Sequence, residues 1–401
     1  MKKAGTIGIF GVASALMIPL IGATMGAQNA SQDSIFVKSE NFGDLEVISK
    51  IKNRYGKNFD FLDWRGSGGR LVALSSNGER VDIFQNEKLS TYSGFEISQF
   101  SVLQNSAYLA EGGEIVALTS EANSDRSAVI NRIAMFEVRE PHKKRFVASH
   151  ALVEDPRISV YHFAISTGLQ RLALLERHAL TKDEITNRKK LWSIRVISPT
   201  DGSKISDIDL DELKSYGYPQ SLDISPDGRN LVVGTDKGWI TIYDATTGRA
   251  QKRARAYPQG GKACAQVKFS PDGKFVAVSP AVNAIAPREA AGQSNGDEDS
   301  LVDIWRTGDL GHVNSLYGRQ RNGSSTQSLS LAWDGSGSKI AMSSTTSVSA
   351  WQAVTRRPEL ILTRTVPISA SGMAKYAVSS VSFSPKGHLA IAVGDEIIVY
   401  Q

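Results

Sequence analysis

The sequence predicts an all-β chain: a seven-bladed β-propeller, closed by an N-terminal strand that completes the last blade. Three observations carry this. A strand–turn–strand unit recurs seven times. An apolar or aromatic residue marks the third strand of every unit. The last unit stops one strand short, while an unassigned alternating strand precedes the first.

The clearest unit runs from Ser221 to Gly248. A short alternating strand ends at Ile224, and Pro226-Asp227-Gly228 turns the chain. A second strand covers Leu231 to Gly234, Asp236-Lys237-Gly238 turns again, and a third strand covers Trp239 to Tyr243. Proline presets φ in such turns and glycine supplies the positive φ they need. The first hairpin is copied at 267–278 and 381–392, more loosely at 331–342 and 61–73, and most weakly at 163–173 and 100–117. The third-strand landmarks are Phe84, Phe136, Ile197, Tyr243, Trp305, Trp351 and Tyr400. Propeller blades run about 40 to 50 residues, so the two widest intervals must carry insertions, placed at 281–300 and around 181–190. Residues 45–51, alternating in character, are expected to supply the missing fourth strand of the last blade and so cover two open edges.

The Ser-Pro-Asp-Gly hairpin, followed by Ile242-Tyr243-Asp244 and Thr247-Gly248 or by Ile304-Trp305-Arg306 and Thr307-Gly308, resembles the WD-repeat propellers over most of residues 60–401. Only Asp244 keeps the aspartate of that family's signature dipeptide. The family's Gly-His dipeptide is missing from its place ahead of the first strand in every unit, since Gly311-His312 and Gly387-His388 fall at other turns, which puts the family's buried hydrogen-bonded tetrad in doubt. Surface-layer and quinoprotein propellers share the turn pattern.

Ahead of the repeats stands an address. Lys2 and Lys3 precede an uncharged run, residues 4–32, with an apolar heart from Ile7 to Ile21 and small residues after it. This is the plan of a secretory signal peptide. Residues 1–27 are read as a signal peptide or a single N-terminal membrane anchor, 28–42 as a linker and 43–401 as the propeller. Either form of the leader places the body across the membrane, in the periplasm or another extracytoplasmic space, soluble after cleavage or tethered by residues 4–27.

Composition narrows the function classes. The chain has 401 residues, 41% hydrophobic and 22% charged, enough apolar material for a large core. Net charge is +5, and Lys2 and Lys3 lie in the leader, so too little remains to argue for nucleic acid. A single cysteine, Cys264, excludes an intramolecular disulfide.

Motif-level chemistry is sparse. His142, His150, His162, His178, His312 and His388 show no metal-ligand spacing. His162 falls near an inner strand, where it either faces the central channel or is an ordinary strand residue. Cys264 has only Ala263 and Ala265 beside it, and reads as a small buried side chain rather than a nucleophile. Asn295 to Ser300 gathers Asp297, Glu298 and Asp299 in a loop, without the spacing of a calcium loop. Basic clusters at 142–145, 188–190, 249–255 and 356–357 are assigned to positions at or after third strands. They are either a docking patch for an acidic partner or anionic lipid, or a solvated face with edge-protecting lysines. No catalytic, metal or cofactor residue is assigned, and no cofactor is expected.

The resemblance implies a non-catalytic protein–protein interaction scaffold in an envelope or membrane-associated complex, with membrane or envelope proteins as partners. The alternative is a propeller enzyme or ligand-binding subunit, of the oxidoreductase or lactonase type, that uses the central channel. Such sites are scattered over several inner strands, where single motifs miss them.

Overall fold

The structure is a computed structural model, which describes residues 46–53, 55–64, 69–75, 80–85, 88–96, 101–109, 114–122, 129–140, 143–153, 157–180, 191–257, 262–281, 301–316, 328–344, 347–355, 359–365 and 378–401. The chain divides into two compact units, Met1–Ile35 and Phe36–Gln401, and every described residue belongs to the second. The leader, the linker, the expected insertion at 181–190 and all but Ala281 of that at 281–300 lie outside the described residues.

Seven antiparallel sheets of four strands make up the second unit. Blade 1 spans 59–96, blade 2 101–153, blade 3 158–209, blade 4 219–255, blade 5 263–316 and blade 6 328–365, each with its strands in chain order from inner to outer. Blade 7 takes three strands from 378–400, and its outer strand is Val47–Lys52, paired antiparallel to Glu396–Tyr400. The ring is therefore closed by the segment that the alternating pattern singles out. Inner strands pack side by side from blade 3 through blade 7 and on to blades 1 and 2. All seven landmark residues lie in third strands.

Burial explains the strand sequences. In blade 4 the second and third strands, Asn230–Thr235 and Trp239–Asp244, are buried on both faces and read as near-continuous apolar runs. The outer strand Ala250–Arg255 is largely exposed and carries the charges. The joints from blade 3 through blade 7 and on to blade 1 are apolar layers built from both partners. Between blades 3 and 4 the layer includes Leu175, Ile194 and Val196 against Leu222, Ile224 and Leu231. Between blades 7 and 1 it includes Ala390, Ile397 and Val399 against Leu62, Trp64 and Leu71.

A second layer of contact runs from inner strand to inner strand. Ser221 Oγ donates to Cys264 O at 2.9 Å, and Asp223 Oδ2 accepts the Phe269 amide at 2.8 Å. Trp333 Nε1 donates to Lys268 O at 3.2 Å. Ser380 Oγ and Ser382 Oγ accept the amides of Leu62 and Trp64 at 3.1 and 2.9 Å. Each such bond is worth roughly 1 kcal/mol net, and losing one partner strands a buried group at greater cost. These side chains tether inner strands in a chain whose Gly-His pairs, Gly311-His312 and Gly387-His388, do not stand ahead of an inner strand.

The repeated turns have a common device. Ser225 Oγ accepts the Asn230 amide at 2.9 Å and donates to Asp227 Oδ1 at 2.6 Å, while Gly228 sits at φ 72°. Ser270, Asp272 and Gly273 repeat it in blade 5. In blade 6 Asp334 replaces the serine and takes the Ser338 and Lys339 amides at 2.8 Å each. Asp244 holds the third-to-outer turn by accepting the Thr246 and Thr247 amides at 2.9 and 2.7 Å. At the matching place in blade 5 stands Arg306, which reaches Asp309 at 3.0 Å instead.

Deleting residues 46–53 bares the last strand of blade 7, so the truncated chain should melt lower than the full chain and associate in a concentration-dependent way in light scattering. Gly234 tests a joint. A Cβ there would lie 2.6 Å from both Cys264 Cβ and Ser221 Oγ, across the seam between blades 4 and 5. Gly234→Ala should cost about 1–3 kcal/mol, read as a melting temperature lowered by several degrees. Gly308→Ala, which meets nothing within 4 Å, is the neutral control.

Candidate functional site

Strands alternate in direction within a blade, so the turns between second and third strands and the connections between blades all emerge on one face of the ring. That face, called upper here, begins the inner and third strands and ends the second and outer ones. The Ser-Pro-Asp-Gly turns occupy the opposite, lower face, and their polar side chains are largely consumed by their own turns.

The upper face differs in composition. Three of the exposed large hydrophobic residues, Tyr55, Tyr161 and Tyr218, lie there, each about half exposed. In blade 3, Trp192 is the first residue of the third strand, with the Tyr161 ring edge-on at 5.3 Å and the Arg177 guanidinium 5.8 Å from its centroid. Blade 4 repeats the arrangement: Trp239 opens the third strand, Tyr216 is edge-on at 5.0 Å and the Arg255 guanidinium is 5.9 Å away. Register produces both pairs, because Arg177 is directly opposite Trp192 and Arg255 directly opposite Trp239.

A polar network supports blade 4 from below. The Arg253 guanidinium stacks on Tyr216 at 3.9 Å, donates to Thr241 Oγ1 at 3.0 Å and pairs with Glu212 at 3.1 Å. Tyr243 Oη donates to the same Glu212 oxygen at 3.1 Å. Burial, and then the Glu212 charge, push the Tyr243 phenol up, so it stays a donor. In blade 1 Arg80 stacks on Tyr55 at 4.5 Å, but its charge is taken by Asp82 at 2.8 Å.

Nearer the axis is a smaller cluster. His162, on the inner strand of blade 3, feels the charges of Asp223 in blade 4 and Lys268 in blade 5, which pair at 3.1 Å. The His162 ring keeps some solvent exposure, but its Nδ1 is sealed and has no hydrogen-bond partner. Burial, and next the Lys268 charge, lower the pKa to about 4, against the opposing pull of Asp223.

The remaining candidates separate. Cys264 is fully buried, and burial pushes its thiol up to about 12, the reverse of what a nucleophile needs. His178 bonds Ser193 Oγ at 2.8 Å, His312 lies 3.5 Å from Asp303, His388 follows a lower-face turn, and His150 is on the outer strand of blade 2. No group of three or more His, Cys, Asp or Glu residues suited to a metal occurs among the described residues. His142, Asn295 to Ser300, 188–190 and 356–357 lie outside them. One assignment needs correction: the 188–190 cluster precedes the third strand of its blade, because it falls between Leu172–His178 and Trp192–Ile197. The long insertion there displaces the landmark and hides the order.

Sequence reasoning picked out 249–255 for its charge but missed the aromatic residues beside it. The available signal was a tryptophan opening the third strand in two successive blades and in no other.

No protein-family model matches the sequence, and no curated protein does. Among solved structures, a chain of a crystal structure of a mitotic checkpoint complex is similar, with 14% identity and a TM-score of 0.57. The match covers 96% of this chain and 98% of that one. The likeness spans the whole ring and shows a shared fold.

His162 gives a pH test with a definite sign. Its folded pKa, about 4, lies below the unfolded value of 6.5. Between these values the unfolded state binds more protons, so stability is full above pH 6.5 and falls as pH drops toward 4. The loss should reach up to about 3 kcal/mol. Melting curves of His162→Gln should lack this part of the acid sensitivity, and an unchanged difference between pH 7.5 and pH 4.5 would count against it.

Proposed function

We propose that the chain is a non-catalytic interaction scaffold, exported and working in an envelope or membrane-associated complex, with protein partners docked on the upper face. The observation that carries this is the pair of Tyr–Trp–Arg clusters on blades 3 and 4. Tyrosine, tryptophan and arginine dominate the energetic centres of protein interfaces, because they offer large, stiff contact area and directed hydrogen bonds. Here the two tryptophans and two arginines sit at strand ends rather than on long loops, so they lose little freedom on docking. The basic start and apolar run of residues 1–27 support export, whether the segment is cleaved or kept as an anchor.

A second reading uses the axis. The Asp223–Lys268 pair beside the orphaned His162 Nδ1 favours a small polar ligand in the channel. A ligand binder or enzyme of that kind would hold its charges there and leave the upper face unused.

The test is cross-linking in the native host followed by purification of tagged full-length chain in mild detergent. The wild-type chain should fractionate with the envelope and carry specific proteins with it. The double variant Tyr161→Ser, Tyr218→Ser should lose them while melting at the wild-type temperature. An undiminished set of partners would overturn docking on the upper face, and a clean monomer that retains a metal or small molecule would overturn the scaffold in favour of the channel.

A further inference from the structure

We infer that the upper face of blades 3 and 4 is a docking site for an extended acidic segment of a partner protein, with Arg177 and Arg255 each receiving a carboxylate. The inference rests on the scaffold reading and gives its partner a chemistry.

The argument starts from how four arginines on this face spend their charge. Arg80 pairs with Asp82 and Arg253 with Glu212. Arg177 and Arg255 have no carboxylate partner among the described residues, and both are exposed. Each nevertheless stands over an indole, fixed by cross-strand register rather than by a flexible loop. A guanidinium held against an aromatic face keeps its outer N–H edge open for a carboxylate, in the bidentate geometry that gives strong charge-assisted bonds.

The clusters sit on adjacent blades and each is centred on a tryptophan that opens a third strand, with Arg177 on the second strand of blade 3 and Arg255 on the outer strand of blade 4, so both sockets open on the same face. One extended peptide can span such sockets, with its acidic side chains on the guanidiniums and apolar ones against Tyr161 and Tyr218, each about half exposed. An anionic membrane is a poorer occupant. Asp209, Asp211, Glu212 and Asp236 share this face and offset the summed charge that draws a protein to a lipid surface. A peptide meets groups one at a time, and these two arginines are without a carboxylate partner among the described residues.

The test titrates a fluorescein-labelled decapeptide of alternating Glu and Leu against the full-length chain in mild detergent, read by anisotropy, with a Lys–Leu decapeptide as control. The Glu–Leu peptide should bind, and more weakly as salt rises. Arg177→Gln and Arg255→Gln should each weaken it about fivefold and together at least about twentyfold, with unchanged melting. Lysine at both positions should recover only part of the affinity, because it keeps the charge without the stacked fork. Unaltered binding in the double variant, or equal binding of the Lys–Leu peptide, overturns the site. So does co-sedimentation with phosphatidylglycerol vesicles that is lost in the double variant, since lipid would then be the occupant. A chain that captures partners through Tyr161 and Tyr218 yet ignores the Glu–Leu peptide overturns this inference and leaves the scaffold reading standing. A chain that does neither overturns both.

Discussion

Everything in this molecule depends on one seam. Seven twisted sheets form a ring only if the first and last meet, and they meet twice. The strand Val47–Lys52 completes blade 7 through backbone pairing, and Ser380 and Ser382 of blade 7 bond the amides of Leu62 and Trp64 in blade 1. The first contact closes an edge and the second locks two inner strands. Lys50 and Lys52, paired with Glu396 and Asp395, put charge on what would otherwise be an attractive exposed strand.

With the ring closed, each blade is pressed between two others and its middle strands lose contact with water. That is why Leu231–Val233 and Ile240–Ile242 need no polar face. Some of the polar groups that stay inside are bonded across joints, such as Ser221 and Asp223. Gly234 is bare because the neighbouring blade comes too close for a side chain. The rim inherits this stiffness: an arginine opposite a tryptophan in a packed sheet has its direction set by the sheet.

The fold was legible because it is written locally. A serine that caps its own turn, a glycine at positive φ and a landmark in the third strand all lie within one unit, and units repeat. The closing strand was legible for another local reason, its alternation and its lack of partners. The functional face was not. Arg177 meets Trp192 fifteen residues away and Arg255 meets Trp239 sixteen away, through strand register, and neither spacing is a motif. His162, Asp223 and Lys268 come from three blades, so only the ring assembles them. The 188–190 cluster was misplaced because an insertion broke the spacing that located its neighbours.

The closing strand also orders events in time. Val47 and its partner Tyr400 lie about 350 residues apart, and contacts so distant in sequence are the slowest to form. While the chain is being made or moved, the strand at its front has nothing to pair with, and six blades can take shape before the seventh is sealed. The ring therefore behaves as a late, all-at-once checkpoint: while the third strand of blade 7 is not yet free to pair, closure is held back, and the newborn chain carries an open edge for that whole interval. A chain of this design needs either rapid pairing of that strand or a chaperone that covers it.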